Sequence, residues 1–359
     1  YEPPPMDNLL FLPLKELEDS LKFFGKTLQS EEDLIEVSAA ATRCSEFNQA
    51  LQNFLHQSLE DFVYWLEISK FRKGSKAVLR GVPIDISGEL KRHIFNKTNT
   101  VIMTSATLST NGKFDYSKDR LGCEPQEELI LDSPFDYSSQ SLLYIPKDLP
   151  EPSEETEKYF PAISRRIWDL IFASGGRTFV LFTSYDALNR VYIEIQKISA
   201  KFPLLKQGEI PANKMIEEFK KTPSVILGTN SFWQGIDVPG GALQNVIITK
   251  LPFEVPTDPI TEARMENFRK LNKNPFKYYQ LPRAIIQLKQ GFGRLIRKKS
   301  DIGVASILDT RLVNRSYGKQ FIKSLPNSKR TDDLELVKEF FKKNKHRPEI
   351  PSHNSGIRV

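Results

Sequence analysis

The chain has 359 residues, of which 39% are hydrophobic and 24 are phenylalanines, so it can bury a sizeable core and is not disordered. Lys and Arg exceed Asp and Glu by 51 − 45 = 6 charges, which fits a polyanionic partner without requiring one. The chain has only two cysteines, far apart in sequence, which excludes a disulfide framework. Together with four scattered histidines they are too few and too dispersed to indicate a zinc site or an iron–sulfur cluster.

The sequence carries no sign of membrane insertion or secretion. No apolar run approaches the roughly 18 residues of a membrane span, and no signal peptide is visible. We therefore predict a cytoplasmic protein without a membrane partner. The chain begins at Tyr1 on the run Pro3-Pro4-Pro5, which we interpret as a cut or processed end.

Helical spacing dominates residues 14 to about 98. Apolar residues recur every three or four positions in two runs, which predicts two amphipathic helices. These runs are Leu14, Leu17, Leu21, Phe24, Leu28 and Leu51, Leu55, Leu59, Phe62, Leu66. Pro83 and Gly88 interrupt the pattern near its end.

Short β-rich runs alternate with helical segments in the rest of the chain, which predicts a doubly wound α/β domain with a parallel sheet. Strands are expected at 100–104, 129–131, 141–145, 178–183, 225–227, 245–249 and 302–308, and helices at 155–173, 185–202 and 282–297. A last helix is expected at 332–343, with Asp332 and Glu335 as a capping box. A loose tail follows Arg347.

The strongest motif is Gln290-Gly-Phe-Gly293-Arg294-Leu-Ile-Arg297. On a helix, Gln290, Arg294 and Arg297 share one face. Two guanidinium groups on one face suit a triphosphate, because each stays charged and can fork onto phosphate oxygens. A solvated basic face is an equally good explanation of this motif alone, since Lys298 and Lys299 follow.

A second motif, Gly228 to Gly240, follows an apolar run and holds Trp233-Gln-Gly235-Ile-Asp237. It is expected in a loop at the carboxyl end of a strand, where open α/β sheets bind ligands. Gly235 permits a close approach to a ligand, and Asp237 can hold an arginine or a ribose hydroxyl. A strand–helix connection with an Asp cap remains the alternative.

Two further motifs bring hydroxyl groups to strand ends. Thr104-Ser-Ala-Thr107-Leu follows one β-rich run, and Thr183-Ser184-Tyr185 follows another. Hydroxyls can bond to phosphate, and a tyrosine can stack on a base. Ordinary turn chemistry, with Tyr185 packed under the next helix, is an alternative of at least equal weight.

The chain contains no phosphate-binding loop of its own. Gly25-Lys26-Thr27 resembles the end of one, but Ser20 stands where the pattern needs glycine and the surroundings are helical. No Asp-Glu pair at a strand end offers ligands for magnesium.

The order and spacing of the four motifs resemble the C-terminal part of superfamily 2 helicases of the DinG/XPD group. Residues 104–108 look like motif III of that family, 180–185 like motif IV, 233–237 like motif V and 290–297 like motif VI. Further similarity lies in Ser133-Pro-Phe, Leu251-Pro-Phe and Asp309-Thr-Arg311, and Pro83-Ile-Asp-Ile-Ser is closer to bacterial DinG.

This resemblance implies a RecA-like second helicase lobe at 125–345, a helical arch-like segment at 1–98, a link from the first lobe at 99–124 and a loose tail at 346–359. It implies a 5′–3′ ATP-dependent DNA helicase in repair or replication, with Arg294, Arg297 and Gln290 as catalytic residues. The nucleotide-binding residues would then be Gly235, Asp237 and Gly293. Single-stranded DNA would be bound by Thr107, Thr183, Ser184, Tyr185 and Trp233.

The same resemblance implies ATP and Mg²⁺ as cofactors, bound together with an N-terminal lobe that this chain lacks, and no iron–sulfur cluster within the chain. The chain by itself is expected not to hydrolyse ATP, because one face of the nucleotide cleft is missing. The alternative function is a non-catalytic nucleic-acid-binding or regulatory module that keeps the fold. A third hypothesis is an α/β protein in which the motifs occur by coincidence.

Overall fold

A computed structural model describes residues 6–71, 74–152, 156–198, 201–233 and 240–344. The described chain forms two compact units. The first consists of residues up to Lys97 with Arg120–Gly122 and Val255–Pro275, and the second of Thr98–Asp119, Cys123–Glu254 and the residues from Phe276 onward.

The helices are α1 Phe11–Gly25, α2 Glu31–His56, α3 Ser87–Leu90, α4 Asp115–Leu121, α5 Tyr137–Gln140, α6 Thr156–Ser174, α7 Tyr185–Ile198, α8 Ala212–Lys221, α9 Asn230–Trp233, α10 Pro259–Lys270, α11 Leu281–Phe292, α12 Arg311–Asn314, α13 Gly318–Ser324 and α14 Leu334–Asn344. Single π-helical turns lie at Lys91–Phe95 and Phe276–Gln280, and a 3₁₀ turn at Gly240–Ala242. The strands are β1 Phe62–Phe71, β2 Gly74–Pro83, β3 Ser141–Tyr144, β4 Thr178–Leu181, β5 Leu204–Lys206, β6 Val225–Gly228, β7 Asn245–Ile248, β8 Gly303–Ile307 and β9 Lys329–Thr331.

Two long helices dominate the first unit, and the first lies close to where the spacing predicts one. The hydroxyl of Ser30 caps α2 by accepting from the amide of Asp33 at 3.3 Å. The side chain of Asn48, buried between α1 and α2, donates to the carbonyl of Phe11 at 3.1 Å. This bond ties the two helices together at a polar point of their interface.

The prediction of helix across residues 57 to about 83 is wrong. Helix α2 ends at His56 with Gln57 in the left-handed conformation, and Phe62–Phe71 pairs antiparallel with Gly74–Pro83. The stretch Phe62-Val-Tyr-Trp-Leu-Glu-Ile is rich in aromatic and β-branched residues, which favour strands. Leu59, Phe62 and Leu66 matched a helical period by coincidence.

The second unit is built on a seven-stranded parallel sheet with the order β5-β6-β4-β7-β8-β3-β9. Side chains alternate between its two faces, as they do in any strand. One face carries Leu143, Phe179, Leu181, Ile226, Ile248 and Ile307 against α8, α9, α11, α12 and α13. The other carries Leu142, Tyr144, Val180, Leu227, Ile247 and Val304 against α6, α7 and α14. The doubly wound α/β fold is therefore confirmed.

Residues 100–104 and 129–131 form no strand, contrary to the prediction. Their apolar side chains face solvent, with Ile102 at 87% and Leu129 at 74% of full exposure. A strand forms only beside a neighbour that takes up its hydrogen bonds, and the described residues supply none here. The sequence also missed β5 and β9, which are three-residue strands at the two edges of the sheet.

Two helix ends differ from the prediction. Helix α7 ends at Ile198, and residues 199–200 lie outside the described part. The amide of Glu335 binds the carboxylate of Asp333 at 2.8 Å, whereas Asp332 pairs with Lys147 at 2.7 Å. Asp333, one residue later than predicted, therefore caps α14, and the predicted tail lies outside the described residues.

Candidate functional site

The candidate site lies where the parallel strands end. Strands β4, β6, β7 and β8 deliver the segments that start at Phe182, Thr229, Thr249 and Leu308 to one edge of the sheet. Loops at this carboxyl edge are where open α/β sheets bind ligands.

Trp233 connects three of the motifs. Its indole N–H donates to the carbonyl of Phe182, just after β4, at 3.0 Å. Its own carbonyl accepts from Nη2 and Nε of Arg294 at 2.7 and 3.1 Å. The ring packs on Gly291, where an added Cβ would stand 2.9 Å from the indole. The motifs that contain Phe182, Trp233 and Arg294 are therefore joined by direct contacts.

Arg294 and Arg297 do not stand on the helix face that the sequence predicts. Helix α11 ends at Phe292 with Gly293 as its C-cap, so both arginines follow in the turn beyond it. Gly293 is exposed, and Gln290 is half-buried on the last turn of the helix. The turn is tied down by buried Asp301, whose carboxylate accepts from the amides of Arg297 and Lys298, each at 2.8 Å.

Both guanidinium groups are half-buried, and this affects their pKa. Burial lowers the pKa of Arg294. Burial also lowers the pKa of Arg297, and the charge of Asp301 opposes that shift. Withdrawal from water disfavours the charged form, so an anion that approaches these groups gains a stronger attraction than it would at the open surface. The arrangement suits phosphate oxygens.

A second polar network, which the sequence did not predict, centres on Gln207 after β5. Its carbonyl oxygen accepts from the amide and hydroxyl of Thr229 at 2.6 and 3.1 Å. Its amide donates to the hydroxyls of Tyr185 and Ser231 at 2.7 and 2.9 Å. A single glutamine after a three-residue strand carries no sequence signal, because only the sheet order makes these residues neighbours.

The residues predicted to bind nucleic acid have different positions. Ser184 is exposed and caps α7 through the amide of Ala187 at 3.2 Å, and Thr183 is half-buried. Tyr185 is 53% exposed, so it does not pack under the next helix. Thr107 is half-buried, and its hydroxyl lies 3.1 Å from that of Ser105.

The indole of Trp233 is completely buried, which corrects its assignment to the nucleic-acid surface. A base needs an exposed ring face on which to stack, and this ring offers none. Trp233 instead supports the position of Arg294. Gly235 and Asp237 lie outside the described residues.

The described residues supply cations but no cluster of metal ligands. They contain no group of three or more His, Cys, Asp or Glu side chains that could hold a metal ion. Within the same residues, no helix has the length and apolar character that crossing a bilayer requires.

Comparison with known proteins finds similarity to helicases. Residues 167–328 match the helicase C-terminal domain family. The chain is 40% identical over 291 residues to the ATP-dependent DNA helicase YoaA of Haemophilus influenzae, covering 81% of this chain and 44% of that protein. This chain matches the C-terminal part of a DinG-type superfamily 2 helicase. It is also 34% identical over 295 residues to the 3′-5′ exonuclease DinG of Bacillus subtilis, covering 78% of this chain and 31% of that protein.

Solved structures agree with the family match. A structure described as an XPD helicase superposes with a TM-score of 0.61 at 16% identity, covering 92% of this chain and 58% of that chain. At this identity the likeness shows the fold alone. The chain spans less than half the length of the two relatives named above.

Proposed function

We propose that this chain is the C-terminal motor half of an ATP-dependent DNA helicase. In this proposal Arg294 and Arg297 contact the γ-phosphate of ATP, and Gln290 senses the nucleotide. The observation that carries the proposal is the contact between Arg294 and the carbonyl of Trp233, which joins the two most specific motifs at 2.7 Å. Similarity to proteins named ATP-dependent DNA helicases supports the same assignment.

The arginines would act on charge that develops during phosphoryl transfer. A guanidinium that is already positioned and partly desolvated stabilises such charge without reorganising water around it. ATP and Mg²⁺ would bind with a second lobe, because the described residues provide no ligand set for the metal. The exposed apolar segments around Ile102 and Leu129 support such a partner lobe, since they would otherwise leave apolar surface in water.

Single-stranded DNA is the proposed track, with Thr107, Thr183, Ser184 and Tyr185 along it. The exposed ring of Tyr185 can stack on a base, and the hydroxyls can bind phosphate oxygens. Movement from 5′ to 3′, a role in DNA repair or replication and the arch-like role of the N-terminal helices follow from the resemblance and are part of the proposal. The cytoplasmic location predicted from the sequence is also part of it.

The test is DNA-stimulated ATP hydrolysis by the complete protein. We expect Arg294→Ala to lower the rate by at least about a hundredfold, because an arginine that stabilises the transferring phosphoryl group contributes this much or more. The matched control is Arg165→Ala, which removes an arginine whose side chain is 70% exposed on α6. This control should hydrolyse ATP at the wild-type rate.

Hydrolysis that survives Arg294→Ala would refute the assignment of the site. If salt-sensitive DNA binding then persisted, the chain would fit a non-catalytic nucleic-acid-binding module instead. For this chain alone we expect no ATP turnover, because it has no glycine-rich phosphate loop.

A further inference from the structure

Three neighbouring strands end in register at the carboxyl edge, beside the motifs already described. Leu181 of β4 pairs with Ile248 of β7, and Ile248 pairs with Ile307 of β8. Two residues beyond these pairs the chain reaches Thr183, Lys250 and Asp309. The edge therefore continues from the proposed DNA track at Thr183 to Lys250 and Asp309, which the proposed function does not use.

Asp309 is a completely buried carboxylate that organises this end of the sheet. It accepts from the amide of Leu251 at 2.8 Å and from the amide of Arg311 at 3.1 Å. It also accepts from Nε and Nη2 of Arg311 at 2.9 and 2.6 Å. The negative charge of Asp309 is thereby matched by one guanidinium, and Arg311 is held in a single orientation.

Lys250 adds a second positive charge to this pair. It is half-buried, and the structure describes no hydrogen-bond acceptor for its ammonium group or for Nη1 of Arg311. Burial and the charge of Arg311 lower the pKa of Lys250, and Asp309 opposes the shift only in part. Among the described residues, these two cations share one carboxylate, and an anion would neutralise the charge that remains.

A group of aromatic side chains lies beside Arg311. The ring of Phe253 lies 5.8 Å from the guanidinium carbon of Arg311 and 5.6 Å from the ring of Tyr317, which lies 5.2 Å from Phe276. All three rings are partly exposed. A cation beside partly exposed aromatic rings suits a polynucleotide better than free phosphate, because bases can stack on the rings while phosphates bind the positive charges.

We propose that Lys250 and Arg311 form a phosphate-binding site that extends the single-strand track along the carboxyl edge, with Phe253 and Tyr317 beside the adjoining nucleotide. This inference rests on the proposed DNA track. It does not depend on the roles given to Arg294 and Arg297 in ATP hydrolysis.

The test measures binding of a fluorescent oligo-dT by the complete protein across a salt series. Lys250→Gln should weaken binding several-fold at low salt. It should also reduce the slope of log K against log salt by about 0.7, the contribution of one phosphate contact on a single strand. Lys250→Arg keeps the charge and should restore the slope. Lys221→Gln removes an exposed lysine at the end of α8 and serves as the control, with a wild-type slope.

A wild-type slope and affinity in Lys250→Gln, or no binding of oligo-dT by the wild type, would overturn the inference. Titration of ATP in parallel separates the two ligands: if Lys250→Gln weakens ATP binding and leaves oligo-dT binding unchanged, the cations serve the nucleotide and the proposal fails. A thermal melt of each variant shows that it is folded. Arg294→Ala tests the proposed function separately, because that variant can lose hydrolysis while the salt slope stays intact.

Discussion

The packing of Trp233 on Gly291 makes a quantitative prediction for Gly291→Ala. The new Cβ would stand 2.9 and 3.0 Å from two indole carbons and 3.3 Å from a methyl carbon of Leu181. Both neighbours are fully buried, so neither can move aside freely. Overpacking of this kind costs about 1–3 kcal/mol. Subtracting the up to about 1 kcal/mol that alanine regains over glycine in a helix from the middle of that range, about 2 kcal/mol, we expect the free energy of unfolding to fall by about 1–2 kcal/mol.

Thermal unfolding checks this value, and a loss of this size should lower Tm by about 2–8 °C for a domain of this length. Gly241→Ala is the control, because an added Cβ there meets nothing within 4 Å. It should stay within about 0.5 kcal/mol of the wild type. If Gly291→Ala were as stable as the wild type or more so, Trp233 would not pack against the helix of the arginine motif.

Two other predictions concern charged groups of the second unit. Asp301→Ala should cost about 1–3 kcal/mol, because the amides of Arg297 and Lys298 lose their acceptor, and Asp301→Asn should recover most of this in a thermal melt. An equal loss of stability in both variants would contradict the role of the Asp301 carboxylate as a hydrogen-bond acceptor. The lowered pKa of Lys250 means that its ammonium loses its proton at a lower pH than ordinary lysines do, so oligo-dT affinity should fall as pH rises into the alkaline range. Lys250→Arg should lose less oligo-dT affinity than the wild type as pH rises, because arginine keeps its charge. If affinity fell with pH in this variant as it does in the wild type, the result would count against the site.

The correctly predicted strands share a property that is visible in their own short stretches of sequence. The segments at β4, β6, β7 and β8 are apolar runs, because a parallel sheet covered by helices on both faces buries every residue of its central strands. The segments at 100–104 and 129–131 have the same composition but form no strand. The composition of a segment indicates that it can form a strand, whereas a neighbouring strand in the folded protein decides whether it does.

For the site, the sequence by itself determined which residue types stand at each motif and in which order. That was enough to recognise the fold of a helicase C-terminal lobe and to predict Arg294 as a catalytic residue. Only the tertiary structure decided that α11 ends before Arg294, that Trp233 is buried, and that Gln207, Lys250 and Asp309 belong to the same edge as the motifs. The physical reason is that helix ends and burial depend on packing partners, and the strand order β5-β6-β4-β7-β8 brings together residues distant in the chain.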